Sequence, residues 1–412
     1  MKTDYESLAT SDLGEMIPGD LPSNELLQAI ILTATLPRER SVSLPGQAYT
    51  DARYLRFEEE HIFGEEWISL GHVSQLTKPG DFIRVDLAGE PLLVIRGKDD
   101  RIRTLSRVCR HRGMDLLPSG FGHPDEGNRR VILCPYHLWS YDLTGKLIGS
   151  PEMHQAEGFD RSEVCLHEFR TEIWEGFIFV NLDGDAAPVG EVYAELKDRF
   201  LARWEMERAQ MVWSRHWDCA FDWKILVENF MEAYHHMGAH RTTLEPFLPA
   251  RGCWAEPLNE AYCAMHLPLK ESMAETIEKT GQAGTPLVPF RKLQTSDFKE
   301  WWVFLGYPNF LLFVAPDRLY WYRILPNGPG RSSLLTTMLV APEAMTQEDF
   351  ASVKEKEIEA AVAFHMEDME VCTATQRGMH SVGYEPGRLS HLEEPIWQFQ
   401  QYLAKVIKRS RK

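Results

Sequence analysis

The chain has 412 residues, of which 44% are hydrophobic and 11% aromatic, and its 61 acidic and 44 basic side chains give a formal charge of −17. This is the composition of a well-cored globular protein, and it excludes extensive disorder, which requires low hydrophobicity. A strongly acidic protein is repelled by nucleic acids and anionic membranes, so we expect neither as a partner. The length suggests two or three domains.

The seven cysteines are an odd number and are scattered along the chain, which argues against a secreted disulfide framework. The N-terminus lacks the basic and apolar regions of a signal peptide. No stretch approaches the roughly 18 consecutive apolar residues of a membrane span. We therefore expect a cytoplasmic protein in which a few thiols have special roles.

The chain divides by composition into three parts. Residues 1–43 are expected to form a helical segment that packs on the larger domain. Residues 44–185 contain short β-type runs separated by turn residues, which predict an all-β domain. The stretch Asp183-Gly-Asp-Ala-Ala-Pro188 marks the boundary, and residues 186–412 form the larger, mixed domain.

Within this larger domain, periodicity predicts three helices and a strand-rich region. The helices are expected at 192–203, at 222–236 and from Thr346 towards Gln376, and the strands at 308–340. The segment 240–301 has weak periodicity, so it is interpreted either as a lid over a site or as a surface excursion.

Two short motifs in the all-β part each pair a cysteine with a histidine. Cys109-Arg-His111 and Cys134-Pro-Tyr-His137 are separated by 22 residues. Four such ligands bind either one tetrahedral zinc ion or a [2Fe–2S] cluster in which the cysteines hold one iron and the histidines the other. Zinc fingers usually pair cysteine with cysteine and histidine with histidine. The mixed pairs therefore favour the binuclear cluster, with zinc as the alternative.

The residues around these ligands strengthen the cluster interpretation. Cys109-Arg-His-Arg-Gly113 and Cys134-Pro-Tyr-His-Leu-Trp139 resemble the two signature loops of Rieske iron–sulfur domains. Two features depart from the family pattern, because Phe121–Arg130 looks like an insertion and Leu138 stands where many members have glycine. Neither departure affects a ligand. The resemblance implies a [2Fe–2S] cluster bound by Cys109, His111, Cys134 and His137.

A second group of reactive side chains lies in the larger domain. On a single helix, Glu228, Glu232 and His235 would fall at i, i+4 and i+7 and would form one polar stripe. Gly238 would then let the chain turn, so that His240 converges with His235. Two imidazoles with carboxylates beneath them would supply two ligands of a metal site.

Asp368, on the predicted late helix, is the candidate for the third ligand. Together with Phe364, Val371 and Thr375 it would form one helical stripe, of which it is the acidic member. A carboxylate on a buried stripe is costly unless it is paired or bound to a metal. Asp368 therefore either pairs with a cation or completes a site, and two histidines with one carboxylate form the facial triad of non-haem Fe(II) enzymes.

Glu232-Ala-Tyr-His235, followed after four residues by His240, resembles the iron-binding stretch of Rieske non-haem iron oxygenase α subunits. The resemblance extends from about Phe57 to Glu393, with the two motifs in the family's order. It implies an α+β fold, in which an all-β Rieske [2Fe–2S] domain precedes a helix-grip-type catalytic domain with an antiparallel sheet and long helices. It also implies a mononuclear Fe(II) bound by His235, His240 and Asp368.

The resemblance further implies how electrons arrive. A separate reductase or ferredoxin delivers them from NAD(P)H, and the cluster passes them to the mononuclear iron of a neighbouring subunit in a homotrimer or a multiple of three. Glu232 would bridge His137 and His235 as the electron-transfer residue. Most ring-hydroxylating members have aspartate at the bridge, so Glu232 looks like the subgroup that acts on carnitine and glycine betaine.

We therefore expect an oxygenase component that uses O2 to hydroxylate or oxidatively demethylate a small organic substrate, either aromatic or a quaternary or N-methyl amine. The alternatives are a ring cis-dihydroxylating dioxygenase, a Rieske electron-transfer protein without oxygenase chemistry, and a zinc-binding scaffold. One aromatic-rich region could form a cation–π cage, a flat apolar pocket or simply core. Its members are Trp301, Trp302, Tyr307, Phe310, Phe313, Tyr320, Trp321 and Tyr322.

Overall fold

The computed structural model describes residues 22–280 and 284–411. Two helices precede the sheets, α1 (Asn24–Thr35) and α2 (Ala52–Glu58). Each begins at a short polar residue that accepts a hydrogen bond from the first turn, as helix N-termini require. Ser23 accepts from the N–H of Leu26 at 3.2 Å, and Asp51 accepts from the N–H of Arg53 at 2.8 Å. Helix α1 packs on the last helix of the chain.

The all-β part contains ten strands in two sheets. Seven strands form an antiparallel sheet in the order β1-β10-β9-β4-β3-β2-β5, and the other three form the small sheet β6-β7-β8. The strands are β1 (Ile68–His72), β2 (Asp81–Leu87), β3 (Glu90–Arg96), β4 (Ile102–Ser106), β5 (Glu126–Asn128), β6 (Ile132–Leu133), β7 (Ser140–Tyr141), β8 (Leu147–Gly149), β9 (Glu168–Trp174) and β10 (Phe177–Asn181).

The connection to the larger part is an interrupted helix. Two short pieces, α3 (Val189–Val192) and α4 (Ala194–Leu196), are followed by a π-helical turn at Lys197–Leu201. The continuous helix predicted for 192–203 is therefore wrong. The break falls at Tyr193, which is completely buried and donates its hydroxyl hydrogen bond to the carbonyl of Tyr307 at 2.9 Å.

The larger part is built on a seven-stranded antiparallel sheet in the order β11-β17-β16-β15-β14-β13-β12. Its strands are β11 (Gln210–Cys219), β12 (Trp254–Ala255), β13 (Tyr262–Pro268), β14 (Glu300–Gly306), β15 (Phe310–Val314), β16 (Arg318–Pro326) and β17 (Ser332–Val340). The segment 240–301, which had weak periodicity, contributes two of these strands, and so it is more than a surface excursion.

Four helices accompany this sheet: α5 (Trp223–Phe230), α6 (Glu271–Thr280), α7 (Phe350–Met379) and α8 (Glu394–Arg409). Helices α5, α7 and α8 pack against one another or against the sheet strands β11, β13 and β16. Across the described residues, no helix is both long and apolar enough to cross a membrane.

Alternation along the strands gives the catalytic sheet two different faces. On β14, Val303 and Leu305 belong to the core beneath α5, α7 and α8, whereas Phe304 belongs to the core on the opposite face. The all-β part packs on that opposite face, where the ring of Phe177 lies 5.0 Å from the ring of Phe310, between centroids. The first face is therefore left for the helices that carry the second group of reactive side chains.

Candidate active site

The four predicted cluster ligands lie on two loops that meet at one end of the all-β part. Cys109 and His111 follow β4, and Cys134 and His137 follow β6. In each loop the cysteine N–H donates to the carbonyl five residues further on, at 2.9 and 2.8 Å. These bonds hold both cysteines at the base of their loops, where they are 2% exposed. The Nδ1 atoms of the two histidines are 3.2 Å apart.

The surroundings of the thiols suit a metal cluster. The Tyr141 hydroxyl lies 3.2 Å from the sulfur of Cys109. Burial raises the pKa of Cys134, while the backbone N–H groups of Tyr136 and His137 act in the opposite direction. Hydrogen-bond donors are thus directed at sulfurs that become anionic on metal binding. Two thiols and two facing imidazole nitrogens are the donor set of a Rieske [2Fe–2S] cluster.

Both departures from the Rieske pattern are accommodated away from the ligand atoms. Leu138 adopts φ 60°, the left-handed region that favours glycine. Its side chain is 57% exposed, and its N–H still donates to the carbonyl of Cys134 at 3.1 Å. The insertion Phe121–Arg130 contains β5, which pairs with the edge of β2.

The helix that leads to the second site is shorter than predicted. It ends at Phe230, and Tyr234–Met237 forms a separate 3₁₀ turn, so the single stripe of Glu228, Glu232 and His235 is wrong. The Glu232 carboxylate accounts for the new turn, since it accepts hydrogen bonds from the backbone N–H of His235 at 3.1 Å and from its Nδ1 at 2.6 Å.

His235, His240 and Asp368 meet in space. One ligand atom from each lies within 4.8 Å of the other two. The carboxylate oxygen of Asp368 is 2.9 Å from Nε2 of His240 and 3.5 Å from Nε2 of His235. Burial opposes ionisation of both His240 and Asp368, but their hydrogen bond outweighs it, so the pKa of His240 is raised and that of Asp368 is lowered.

Each imidazole is also held by a carboxylate on its far side. Nδ1 of His235 donates to Glu232 at 2.6 Å, and Nδ1 of His240 donates to Glu367 at 2.7 Å. The hydroxyl of Thr243 donates to Glu367 as well, at 2.6 Å. Because Nδ1 carries the proton in each ring, both Nε2 lone pairs are left for a metal. Two imidazoles and one carboxylate arranged in this way fit Fe(II).

Sequence reasoning missed Glu367 because it placed the buried face of α7 incorrectly. Val371, expected on the apolar stripe, is 36% exposed. The buried residues of the helix are instead Ala361, His365, Cys372 and Gln376. Asp368 lies beside this stripe, and Glu367 precedes it on the side that faces His240. A carboxylate next to a predicted ligand was the available signal.

Two further histidines near the triad have structural surroundings. Nδ1 of His236 donates to the carbonyl of Leu248 at 3.0 Å, and burial lowers its pKa to about 3. Burial also lowers the pKa of His365 to about 4. In the described part of the chain, neither ring nitrogen of His365 has a hydrogen-bond partner, and its ring packs against Trp217.

A cavity of about 50 Å³ lies beside the triad and is walled by aromatic rings. Phe313 and Tyr322, from the aromatic-rich region, line it together with Phe230 and Phe364. The other members of that region divide between the two faces of the sheet. Trp302, Phe310 and Trp321 belong to the core on the opposite face, and Tyr307 stacks on Tyr402.

Two family models match the chain. The model described as Rieske [2Fe-2S] domain matches residues 66–169, and the model described as ring hydroxylating alpha subunit (catalytic domain) matches residues 202–409. These ranges fall inside the predicted domains 44–185 and 186–412, and they confirm the predicted fold class.

Curated relatives carry the names of oxygenase subunits. The carnitine monooxygenase oxygenase subunit of Acinetobacter pittii is 33% identical over 199 residues, which are 48% of this chain and 52% of that protein, so the match spans about half of the relative. The glycine betaine monooxygenase oxygenase subunit of Pseudomonas aeruginosa is 25% identical over 384 residues, 87% of each protein.

Solved structures agree in fold. A quaternary ammonium Rieske monooxygenase superposes with a TM-score of 0.75 at 25% identity, covering 90% of this chain and 98% of that one. Naphthalene 1,2-dioxygenase from Rhodococcus gives 0.76 at 22% identity, covering 93% and 98%. The chain belongs to the ring-hydroxylating oxygenase α subunits, in which a Rieske [2Fe–2S] domain and a non-haem iron catalytic domain share one polypeptide.

Proposed function

We propose that this chain is the oxygenase component of a multicomponent system that hydroxylates or oxidatively demethylates a small organic substrate. The observation that carries the proposal is the convergence of His235, His240 and Asp368 beside an aromatic-walled cavity. In the same chain, Cys109, His111, Cys134 and His137 supply the donors of a Rieske cluster; the first two of these lie on the loop that follows β4.

The reaction balances as RH + O2 + two electrons + two protons giving ROH + H2O. The two iron centres, when bound, supply the electron storage and the O2 activation. The role of the protein is to orient and to exclude water. Glu232 and Glu367 fix the ring orientation of the two histidines, and Phe313, Tyr322 and Phe364 close an apolar wall around the place where a C–H bond would lie.

Electrons are proposed to enter from a separate reductase or ferredoxin and to cross between subunits of a homotrimer. Within one chain, the described contacts of Glu232 are to His235, and the ring of His137 meets those of His111 and Tyr136. A bridge from His137 through Glu232 to His235 would therefore join two subunits. Tyr136 and Leu138 at the tip of the cluster loop are more than half exposed, as a surface that meets a neighbouring subunit would be.

The proposed substrates are quaternary or N-methyl amines. The relatives named above act, by their names, on carnitine and glycine betaine, and Glu232 occupies the bridge position. Aromatic ring faces beside the triad can stabilise an alkylammonium group by cation–π attraction. Hydroxylation of an N-methyl group gives a hemiaminal that releases formaldehyde. From its cysteine usage, we place the enzyme in the cytoplasm.

A ring cis-dihydroxylating dioxygenase is the second candidate. The apolar wall of the cavity also suits a flat hydrocarbon ring. The α subunit of a chlorobenzene dioxygenase from Cupriavidus is 35% identical over 204 residues, 48% of this chain and 44% of that protein. The two candidates differ in their products, because a dioxygenase retains both oxygen atoms as a cis-diol.

The first experiment is metal analysis of the purified protein. We expect three irons and two acid-labile sulfides per chain, with the visible and EPR spectra of a Rieske cluster after reduction. A colourless protein that contains zinc and no iron would support the zinc scaffold instead. The second experiment is turnover with a surrogate reductase, in which released formaldehyde supports demethylation and a cis-diol supports the dioxygenase.

Replacement of the proposed carboxylate ligand separates an oxygenase from a pure electron-transfer protein. In Asp368→Ala, the Rieske spectrum should persist, while the mononuclear iron and the turnover are lost. If both mononuclear iron and turnover survive, the triad assignment is wrong. Glu370→Gln, an exposed change two residues away on the same helix, is the matched control.

A further inference from the structure

The small cavity beside the triad continues into a much larger one. Leu244 and Phe364 line both, so the two chambers share a wall. The outer chamber has a volume of about 480 Å³. Its lining is largely apolar and includes Phe247, Leu269, Met273, Phe298 and Trp301. We call this outer chamber the vestibule.

Helix α7 sets the length of the vestibule. Glu357, Ala360, Ala361 and Phe364 line it and fall at i, i+3, i+4 and i+7, so they share the helix face that leads to Asp368. At 1.5 Å per residue, the path from Glu357 to Asp368 is ~16 Å long. The two alanines leave the space that larger side chains on this face would fill.

The far end of the vestibule carries a fixed charge cluster. The guanidinium of Arg318 is bonded on one side to Asp317 at 2.7 Å and on the other to Glu357 at 2.8 Å. One cation between two carboxylates leaves a net charge of −1. The Arg318 side chain is 8% exposed, so its charge is already committed to these two partners. This wall favours an uncharged or positively charged group over an anion.

We propose that the vestibule is a second substrate subsite, which holds the distal part of an elongated substrate that is apolar along its length and uncharged or cationic at its far end. This inference rests on the proposed function, because it assumes that the reacting C–H group lies in the small chamber beside the triad. It narrows the substrate class to molecules long enough to extend from the iron site to Glu357.

The test is calorimetric binding of a chain-length series to the purified holoprotein. The probes are tetramethylammonium and the butyl, hexyl, octyl and decyl trimethylammonium ions. Each methylene buried against the apolar lining should raise the affinity about fourfold, until the chain fills the ~16 Å path. Affinity that does not change with chain length would overturn the proposal.

Two variants of α7 locate the effect. Ala360→Phe places a ring in the vestibule and should remove the dependence on chain length, while leaving the binding of tetramethylammonium unchanged. Ala374→Phe, a matched change at an exposed position outside the vestibule, should keep the dependence. Equal effects of the two variants would count against the subsite.

The end group tests the charge cluster. Among decyl chains that end in a methyl, a trimethylammonium or a carboxylate group, the carboxylate should bind at least tenfold more weakly than the others. Glu357→Gln should reduce that gap, because the cluster then has no net charge. An anionic end that binds as well as a cationic one would overturn this part of the proposal.

The outcomes separate the subsite from the proposed function. If no ammonium head binds, the proposed amine substrates fail, and the same series built on methoxybenzene, which has a neutral head, still measures the chain-length dependence. If tetramethylammonium binds and longer chains add nothing, the vestibule proposal fails while the amine assignment stands.

Discussion

The carboxylate of Glu367 accepts a hydrogen bond from Nδ1 of His240 at 2.7 Å, on the opposite side of the ring from Asp368. Two neighbouring residues of α7 thus hold one imidazole from both sides. His240 itself is 1% exposed, so water does not compete for these contacts. The bond fixes which nitrogen carries the proton and leaves Nε2 directed at the proposed iron.

Removing this support should weaken iron binding. In Glu367→Ala, His240 loses the acceptor that fixes its orientation, and we expect the affinity for mononuclear iron to fall about 10- to 100-fold. The measurement is iron content after dialysis against a graded chelator. The exposed residue Glu370, changed to glutamine, is the control, and equal iron retention in both variants would contradict the role of Glu367.

The charge of Glu232 should matter for electron transfer more than for folding. Glu232→Gln keeps the shape but loses the anion that accepts from the N–H and Nδ1 of His235. We expect the rate at which the reduced cluster is reoxidised in the presence of substrate and O2 to fall by about 10- to 100-fold. Stopped-flow absorbance of the cluster measures this rate. Glu232→Asp, which retains the carboxylate, should be affected less, and a reversed order would argue against the bridge.

Tyr141 should tune the potential of the cluster. Its hydroxyl is 3.2 Å from the sulfur of Cys109, and the backbone N–H of Arg110 donates to the same oxygen, so the phenol proton is free to point at the sulfur. Such a hydrogen bond stabilises the more negative, reduced cluster. At about 1 kcal/mol for one bond, Tyr141→Phe should lower the one-electron potential by ~40 mV. Protein-film voltammetry measures it, and an unchanged potential would contradict the assignment.

Glu228 should make the stability of the protein depend on pH. Burial raises its pKa to about 8, against 4.5 in the unfolded chain, and the hydroxyl of Tyr49 donates to it at 2.7 Å. The folded protein therefore keeps a proton that the unfolded chain has released. The stabilisation from this proton is complete below pH 4.5 and declines as the pH rises towards about 8.

Glu228→Gln removes that titration and keeps a polar partner for Tyr49. Between pH 5 and 8, the difference in unfolding free energy between the native protein and the variant should fall by about 1 kcal/mol per pH unit. Urea unfolding at a series of pH values measures it. A difference that stays constant with pH would show that the carboxyl of Glu228 is ionised throughout.

Local spacing carried most of the site prediction. The cluster ligands come in pairs two or three residues apart, so the conformation of one loop is enough to bring each cysteine and histidine together. The same holds for His235 and His240, which are joined by one turn. Where the prediction relied on a continuous helix, it failed, because the Glu232 carboxylate competes for the backbone N–H of His235 and starts a new turn.

Contacts between distant parts of the chain were less predictable. Asp368 was chosen as a ligand from a stripe that the structure assigns differently, since Val371 is exposed and Cys372 is buried. The aromatic-rich region could not be divided from composition, because which rings reach the site depends on the face of the sheet that each strand presents.

The sequence by itself determined the family, the two metal-binding motifs and the division into an all-β and a mixed domain, because these depend on residue types at short spacing. Tertiary structure decided that Glu367 supports His240, that Tyr49 meets Glu228, and that a long vestibule ends at Arg318. Each of these relationships joins segments far apart in the chain, and only the packing of α5, α7 and the catalytic sheet brings them within contact distance.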